Sequence, residues 1–570
     1  MNPIKILIVI LTVFSLSLQA KDIKLTETSN QFAITSKSLS EFTFVNYLSE
    51  ISMMKVTKDA NEFVKLIVSG YGENAKSGNA ELPVLEELIN IPFGAEVTIQ
   101  IINKEENIIS LSDYRLDHFI FPSQPSISKS ENAETAPFYF NEDYYTKDAF
   151  YTKDLITTEY LGKMRGQQLG RISIAPFQYN PVTNQLKVVT KMEVKVVFEN
   201  TDITAHIANQ KKYYSPEFNH LFKSCINYMP MQAMDVITTY PVKYVIVADP
   251  DFESALQPLV EWKTKKGFIV VEAYTNNPSV GSTTSSIHAY LKDMYDNATA
   301  TDPAPTYLLI VGDEAQVPSF DNGDHLSDMY YCAFDGGGDF YPEMYYGRFS
   351  ATIAEQVTAQ VNKTLVYEQY TFPNPSFLDE VVLVAGVDVP GGPGMSLIHG
   401  NGQINYSTDY YFNAANGLTV HNYLWGSGTP ITSDMPAASA AIISDVSNGV
   451  GFANYTAHCE SSGWGNPSFS IADVPGLQND NEFGLLVGNC CQSNKFDEPI
   501  CFGEALLRAD NKGAVGYIGG SNNTYWDEDY WWGVGSTSNI IANPTYSGTG
   551  LGIYDCLMHE NGEQQADWFI

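Results

Sequence analysis

The chain has 570 residues, of which 44% are hydrophobic and 17% are charged, so its composition is that of a globular protein and not of a disordered one. A chain of this length exceeds a single hydrophobic core, and we expect about three to four domains. The formal net charge of −34 repels phosphate backbones and argues against nucleic acid as a partner. Such a charge suits cationic substrates, although solubility alone also explains it.

The first residues have the pattern of an export signal. Lys5 precedes an apolar run over residues 6–18, which is too short to span a bilayer. Leu-Gln-Ala at 18–20 is an acceptable cleavage site, so we expect residues 1–20 to be a signal peptide and the mature protein to begin at Lys21. The alternative is an uncleaved anchor. No later segment predicts a transmembrane helix, and we therefore expect a secreted protein.

The next segment, residues 21–228, predicts an all-β domain. Residues 96–102 nearly alternate between apolar and polar, and residues 186–198 are rich in β-branched side chains. Glycines and prolines between 78 and 94 mark turns. We interpret the domain as a β-sandwich, and the polar stretch 205–231 as a linker.

From about residue 241 the pattern changes to alternating strands and helices, which is typical of a parallel α/β sheet. We expect two α/β subdomains, residues 229–375 and residues 376–570. The strands predicted for them are 242–248, 268–273, 307–311, 380–385, 449–454, 484–487 and 514–518, and the predicted helices are 251–266 and 287–295.

Two of these predicted strands end near residues with reactive side chains. His458 follows one strand and Cys491 follows another. The carboxyl ends of parallel strands meet at one edge of a sheet, so the two side chains can lie close together. A thiol attacks a peptide carbonyl when a base accepts its proton, and histidine suits that role at neutral pH. The seven cysteines are an odd number, so at least one lies outside intramolecular disulfides.

Several motifs resemble the gingipain family of cysteine peptidases, and most closely its lysine-specific members. They are Tyr-Thr-Ala-His at 455–458, Gly-Asn-Cys-Cys at 488–491, Cys-Phe-Gly-Glu at 501–504 and the aromatic and acidic segment 525–531. The resemblance extends from about residue 241 to the C-terminus. It implies a caspase-like α/β fold and hydrolysis after basic residues. The β-rich part, with Glu-Leu-Pro at 81–83, is similar to the family's propeptide.

The resemblance also assigns roles to residues. It implies Cys491 as the nucleophile, His458 as the catalytic histidine and Asp388 as the carboxylate that orients the imidazole. Cys490 matches a non-catalytic neighbour of the nucleophile, although its own thiol remains an alternative nucleophile. Backbone N–H groups of Cys459 and Cys491 would bind the oxyanion.

Cys459 departs from the family, which has glycine at that position. Any residue except proline still supplies the backbone N–H. The β-carbon, however, restricts the backbone and occupies space in the cleft. We also expect that Cys459, as a second thiol close to the site, oxidises with Cys491 and makes the activity redox-sensitive.

The resemblance implies that Asp529 forms the base of the S1 pocket and selects lysine at P1. The position at which arginine-specific relatives carry their pocket aspartate aligns near His399. The apolar face of an aromatic side chain would cover the lysine stem. The remaining expected pocket residues are Thr456, Asn489, Tyr525 and Trp526.

A glycine-rich acidic loop suggests a structural calcium site. Asp335, Asp339, Tyr341 and Glu343 offer oxygen ligands at the short spacings that Ca²⁺ requires. Asp313, at a predicted strand end, matches a further ligand of the family. An acidic turn without metal is the alternative.

The β-rich segment is expected to inhibit its own catalytic domain until it is removed. Family precursors are cut after a basic residue, and Lys223 is the nearest one before the predicted boundary. The chain ends before the family's Ig-like and sorting domains would begin, which suggests a fragment. Two other functions remain open: an inactive homologue that binds proteins as an adhesin or secretion factor, and a carbohydrate-binding surface protein.

Overall fold

The computed structural model describes most of residues 21–558. The predicted signal peptide, residues 1–20, lies outside the described residues, as do part of the predicted domain boundary and the C-terminal segment. The residues not described are 1–20, 59, 74, 152–153, 230–240, 300, 390–393, 427–430, 432–434, 538, 551 and 559–570. Within the described part, no helix is long and apolar enough to cross a membrane.

The N-terminal segment forms antiparallel sheets, as predicted. Strand β3 buries every second residue, which is the pattern of a strand with one face on the core. Three sheets have the orders β1-β4-β5, β6-β7-β10-β9 and β11-β12-β3-β2, and β8 pairs with β12. The strands are β1 Lys21–Lys24, β2 Gln31–Lys37, β3 Glu41–Tyr47, β4 Glu50–Lys58, β5 Asn61–Ile67, β6 Gly72–Glu73, β7 Pro83–Ile91, β8 Glu96–Ser110, β9 Ile156–Met164, β10 Gln167–Ile174, β11 Phe177–Asn180 and β12 Gln185–Glu199.

One hydrophobic cluster fills the space between these sheets. Phe44, Met53, Ile89, Ile172 and Val194 contribute to it from five different strands, and each is at most 1% exposed. The N-terminal segment is therefore an all-β domain with its own core.

The stretch 205–231, interpreted as a linker, is partly helical. Helix α2 (Ile203–Lys212) is mostly polar, with His206 as its buried residue. Helix α3 (Pro216–Lys223) is amphipathic and packs between Leu169 of the β domain and Tyr345 of the first parallel sheet. Phe218 and Phe222 of α3 pack with Leu169 of β10, so apolar burial holds this stretch in place. Helix α1 covers Glu142–Tyr145, α2 covers Ile203–Lys212 and α3 covers Pro216–Lys223.

The first α/β subdomain contains a four-stranded parallel sheet with the order β14-β13-β15-β18. Its central strands are buried along their whole length, as expected for a sheet covered on both faces. The strands are β13 Lys243–Ala248, β14 Ile269–Tyr274, β15 Pro305–Val311 and β18 Tyr345–Phe349, with a hairpin of β16 Phe320–Asp321 and β17 Leu326–Ser327. The helices are α4 Glu253–Lys265, α5 Thr284–Asp296 and α6 Ala354–Glu368.

The second subdomain contains a five-stranded parallel sheet with the order β20-β19-β21-β25-β26. The predicted division after residue 375 falls between the two sheets. The strands are β19 Glu380–Ala385, β20 Thr419–Tyr423, β21 Phe452–Thr456, β25 Leu485–Asn489 and β26 Gly516–Gly519, with a small sheet of β22 Cys459–Glu460, β23 Gly463–Trp464 and β24 Phe469–Ser470. The helices are α7 His399–Tyr410, α8 Met435–Ser447, α9 Phe502–Arg508, α10 Trp526–Val534 and α11 Ile553–Leu557.

A hairpin of the β domain is anchored in the first α/β subdomain by a buried arginine. Arg165, between β9 and β10, donates hydrogen bonds to the backbone carbonyls of Tyr213, Pro305 and Glu343 at 2.6–3.1 Å. Its guanidinium also lies 5.3 Å from the ring centroid of Phe218. Arg165 is only 2% exposed, and these contacts replace part of its hydration and hold the two domains together; its Nη2 has no hydrogen-bond partner among the described residues.

We expect Arg165→Ala to lower the free energy of unfolding of the full chain by about 2–4 kcal/mol, because buried carbonyl groups lose their donor. Denaturant unfolding measures the change. Arg171→Ala is the matched control: Arg171 lies on β10, the strand that follows Arg165, and its ion pairs with Glu86 and Glu159 are partly exposed. The control should change stability by about 1 kcal/mol or less. Equal effects of the two substitutions would contradict the anchor.

Candidate active site

Three neighbouring strands carry the candidate catalytic residues to one edge of the second sheet. Strands β19, β21 and β25 are adjacent, and their carboxyl ends precede Asp388, His458 and Cys491. The predicted placement of His458 and Cys491 at one sheet edge is therefore confirmed, and Asp388 lies at the same edge. Open parallel sheets bind their ligands at this edge.

Asp388 holds the ring of His458. The two atoms His458 Nε2 and Asp388 Oδ1 lie 2.7 Å apart. Because a carboxylate only accepts hydrogen bonds, this contact assigns the proton to Nε2 and leaves Nδ1 as the acceptor. Burial alone would raise the pKa of Asp388, but the bonds from His458 and from the backbone N–H of Met395 outweigh it and keep the pKa low.

The sulfur of Cys491 contacts Thr524. The backbone N–H of Thr524 donates to Sγ at 3.4 Å, and Sγ lies 3.9 Å from the carbonyl oxygen of Thr524. Burial raises the pKa of the Cys491 thiol, and the bonds with Thr524 offset only part of that rise. In this state the thiol is therefore neutral at pH 7 and needs a base before it can attack.

A disulfide joins Cys459 to Cys490, which corrects the expectation that Cys459 oxidises with Cys491. The backbones fit this pairing, with the two Cα atoms 5.4 Å apart. The same bond removes Cys490 as an alternative nucleophile in this form, because its sulfur is not a thiol. Cys491 remains a free thiol.

A lysine of the β domain fills the expected S1 pocket. Nζ of Lys129 lies 2.7 Å from Asp529 Oδ2. It also donates to Oγ1 of Thr456 at 3.0 Å and to the carbonyl oxygen of Asn489 at 2.8 Å. The ammonium lies 4.8 Å from the ring centroid of Trp526. Four of the five predicted pocket residues thus surround one cation.

The fifth predicted residue, Tyr525, has a different position. Its side chain is 45% exposed, and its backbone forms an antiparallel bridge with Ser128. It therefore borders the approach to the pocket. Gln403 of α7, which we did not predict, supports the pocket instead: its amide donates to Thr456 Oγ1 at 3.2 Å and accepts from Asn489 Nδ2 at 3.0 Å.

The segment around Lys129 forms an isolated β-bridge at Ser128 and then turns. The carbonyl oxygen of Ile127 accepts the N–H of Trp526 at 3.0 Å, and the N–H of Lys129 donates to Thr524 O at 2.8 Å. Directly after Lys129 the N–H of Glu131 bonds to Ser128 O at 2.9 Å, which closes a turn. The β domain therefore occupies the pocket in an extended conformation only up to Lys129.

His399 lies behind the pocket wall. Its Nε2 is 2.8 Å from Asp527 Oδ1, and its ring packs edge-on against Trp526 and Tyr530. His399 aligns with the pocket aspartate of arginine-specific relatives, but here it supports the ring of Trp526. Among the described residues, no hydrogen bond or ion pair joins it to Lys129.

Three of the predicted metal ligands form a cluster. Ligand oxygens of Asp335, Asp339 and Glu343 lie within 4.8 Å of one another. Oε2 of Glu343 is buried without a hydrogen-bond partner among the described residues. Burial and the neighbouring carboxylates raise the pKa of Glu343 to about 9. An unpaired buried carboxylate beside two others fits a hard divalent cation.

The other two predicted ligands differ. Asp313 lies outside this cluster because its carboxylate is paired with Arg508 at 2.9 Å and accepts the N–H of Glu314. Its role as a further metal ligand stays a prediction. Tyr341 borders the cluster through its N–H, which donates to Asp339 at 3.0 Å.

Lys129, Thr524 and Gln403 were not predicted from the sequence, and neither was the pairing of Cys459 with Cys490. Lys129 lies between two serines in the propeptide-like segment, and that local pattern has no distinguishing feature. The indication that could have pointed to Lys129 is a general one: a pocket that selects lysine can be blocked by a lysine side chain of the propeptide.

A parallel sheet that presents an aspartate, a histidine and a cysteine at its carboxyl edge, behind an all-β domain that fills the pocket, defines a caspase-like cysteine peptidase with a propeptide. The sequence profile described as "Peptidase family C25" matches residues 237–562, and that of its propeptide matches residues 29–214. The chain belongs to peptidase family C25, the gingipain family.

Individual relatives agree with this assignment. Lys-gingipain of Porphyromonas gingivalis (strain ATCC 33277) is 35% identical over 557 residues, which cover 95% of this chain and 31% of the relative. Gingipain R2 of P. gingivalis (strain W83) is 27% identical over 80% of this chain and 62% of the relative. The chain thus spans about a third of the length of this curated Lys-gingipain. A solved structure titled "Structure of Protease" is 36% identical with a TM-score of 0.51, and the match covers 57% of this chain and 70% of that chain.

Proposed function

We propose that the protein is the secreted zymogen of a cysteine endopeptidase that cleaves peptide bonds after lysine. The observation that carries this proposal is the burial of Lys129 against Asp529 beside Cys491 and His458. The relatives named Lys-gingipain support the same specificity.

The acceptors around Nζ favour lysine over arginine. An ammonium has three N–H donors, and Asp529, Thr456 and Asn489 supply three oxygens at 2.7–3.0 Å. A guanidinium is planar and larger and carries five donors, so the same oxygens cannot satisfy it. The ring of Trp526 adds a cation–π contact with either cation.

In the proposed mechanism Cys491 attacks the carbonyl carbon of the bond after lysine. Nδ1 of His458 accepts the thiol proton as the sulfur–carbon bond forms, and Asp388 stabilises the resulting imidazolium through Nε2. Backbone N–H groups of Cys459 and Cys491 bind the oxyanion. The imidazolium then protonates the leaving amine as the carbon–nitrogen bond breaks, and water hydrolyses the acyl-enzyme.

We expect the enzyme, after its propeptide is removed, to cleave lysyl peptides with a kcat/KM about 10²-fold or more above arginyl peptides. Asp529→Ala should lower kcat/KM for lysyl peptides by about 10²–10³-fold, because the substrate ammonium loses its counter-charge. Fluorogenic peptides measure both.

Asp480→Ala is the matched control for charge, because Asp480 is exposed and distant from the pocket. Cys491→Ala should abolish turnover. If the folded parent hydrolyses neither peptide, the proposal fails in favour of an inactive, protein-binding homologue, and equal rates for lysyl and arginyl peptides would refute the specificity.

We propose further that the β domain keeps the enzyme latent through Lys129. The side chain of Lys129 is fully buried, and the adjoining segment lies along Thr524 and Trp526, so the domain excludes substrate from the pocket. The turn after Lys129 directs the chain away from the extended path. Lys223, the predicted activation site, is exposed at the end of α3, and cleavage there stays a prediction.

We expect Lys129→Ala to raise the rate at which a lysyl chloromethyl ketone labels Cys491 in the uncut chain by about 10²–10³-fold, since the buried carboxylate of Asp529 loses its partner. Mass spectrometry of the labelled peptide measures the rate. Lys147→Ala, an exposed lysine of the same domain, should leave the rate unchanged. If Lys129→Ala labels no faster than the parent, Lys129 does not maintain latency.

We propose that Asp335, Asp339 and Glu343 bind a structural Ca²⁺. The ion would neutralise three carboxylates and order the loop 335–343. The unpaired Oε2 of Glu343 and the raised pKa of this carboxyl support the site.

Calcium at about 100 times its dissociation constant should stabilise the folded chain by about 2.7 kcal/mol. Without calcium, Glu343 ionises near 4.5 when unfolded and near 9 when folded, so its contribution to stability is complete below the lower value and is lost as the pH rises toward the higher one. Glu343→Gln should therefore match or exceed the parent's stability in chelator above pH 7, and calcium should not stabilise it.

Thermal unfolding with and without calcium measures these differences. Glu355→Gln, an exposed glutamate of α6, is the control and should respond to calcium as the parent does. A calcium response that survives Glu343→Gln would remove Glu343 from the site.

The proposed export rests on the apolar run at residues 6–18 and on the disulfide. Disulfides persist in oxidising compartments outside the cytosol. The Cys459–Cys490 bond therefore agrees with a protein that folds after export.

A further inference from the structure

The disulfide joins the two residues that adjoin the proposed catalytic pair. Cys459 directly follows His458, and Cys490 directly precedes Cys491. Strands β21 and β25 pair residue by residue as far as Thr456 and Asn489. Beyond that pair the two chains leave the ladder as separate turns, and the disulfide is a direct covalent link between these turns.

Other contacts attach each turn to a third segment. The carbonyl oxygen of His458 accepts hydrogen bonds from Tyr455 Oη at 2.9 Å and from the N–H of Gly465 at 3.0 Å. On the other side, the N–H of Gln492 donates to Asn522 O at 2.9 Å. These bonds orient each turn, and the disulfide adds a covalent constraint on the separation of the two turns.

We propose that the Cys459–Cys490 disulfide is a positioning element for the catalytic pair, which sets the separation of the His458 ring and the Cys491 sulfur. The active enzyme then requires Cys459 and Cys490 to be joined in a disulfide while the adjacent Cys491 is a free thiol. This inference rests on the proposed function.

The surroundings of the sulfurs allow the two oxidation states to coexist. Cys490 is 0% exposed and packs in a hydrophobic cluster that includes Ala457, Trp464 and Phe502. Reduction of a disulfide requires a thiolate to reach one of its sulfurs, and this packing restricts the approach to the side of Cys459, which is 8% exposed. Cys491 belongs to neither this bond nor this cluster and faces Thr524.

The test is the double substitution Cys459→Ala with Cys490→Ala, in the enzyme freed of its propeptide. We expect kcat for a lysyl peptide to fall about 10–100-fold, because a displacement of about 1 Å between reacting groups costs that much. KM should change by about two-fold or less, because Asp529 and Trp526 still bind the lysine.

A second readout follows the catalytic pair directly. Iodoacetamide alkylates Cys491 faster at low pH when His458 assists the thiol, so the pH profile of alkylation should move toward that of an unassisted thiol in the double variant. A purely structural disulfide would lower thermal stability but leave this profile unchanged. Cys556→Ala, a cysteine outside the disulfide, is the control and should keep the parent's kcat and profile.

If the double variant does not fold, the folded parent is treated with dithiothreitol, which forms its cyclic disulfide as Cys459 and Cys490 become thiols. Loss of kcat in proportion to the reduced fraction, read by mass spectrometry, supports positioning. Full kcat and an unchanged alkylation profile with the bond absent overturn it. A parent that does not cleave lysyl peptides defeats the proposed function instead, and the alkylation profile still decides the role of the disulfide.

Discussion

The buried contact between the Lys129 ammonium and the Asp529 carboxylate is the constraint on which the state of the molecule depends. Both charges have left water, and their desolvation is offset only because two further oxygens, from Thr456 and Asn489, complete the shell around Nζ. Removal of either charge leaves the other buried and unpaired, which costs far more than an exposed pair. The pocket therefore demands a cation, and the β domain supplies it.

The sheet edge could be predicted from the sequence, because buried strands appear as short apolar runs and their alternation with helices indicates a parallel sheet. Strand β13 and helix α4 were predicted within a few residues. Helix α7 was missed because glycine, asparagine and serine, which favour turns, occupy many of its positions. Strand β18 was missed because it is half exposed and carries a glycine and an arginine.

The residues of the candidate site also divide into those that the sequence predicts and those that only the folded structure reveals. Asp388, His458, Cys491 and Asp529 each lie in a short local motif of the sequence. Lys129 lies 327 residues from Thr456, and only the folded β domain brings them into contact. The partner of Cys459 depends on which of two adjacent side chains, at 490 or 491, points toward it, and that choice is made by the turn after β25. Local sequence determines the residue types at the site, but the pairings depend on tertiary structure.

The contacts between the two domains also determine how latency can end. Exposed ion pairs such as Lys163 with Asp335 are screened by water and contribute little to the association of the two domains, whereas the contacts of the buried Lys129 and Arg165 contribute much. Both buried side chains lie in the β domain well before residue 223, and their contacts are noncovalent. A cut after Lys223 leaves each of them in place, because it removes none of the groups that surround them. Release of the pocket therefore requires loss of the segment around Lys129 itself, by degradation of the β domain or by its dissociation.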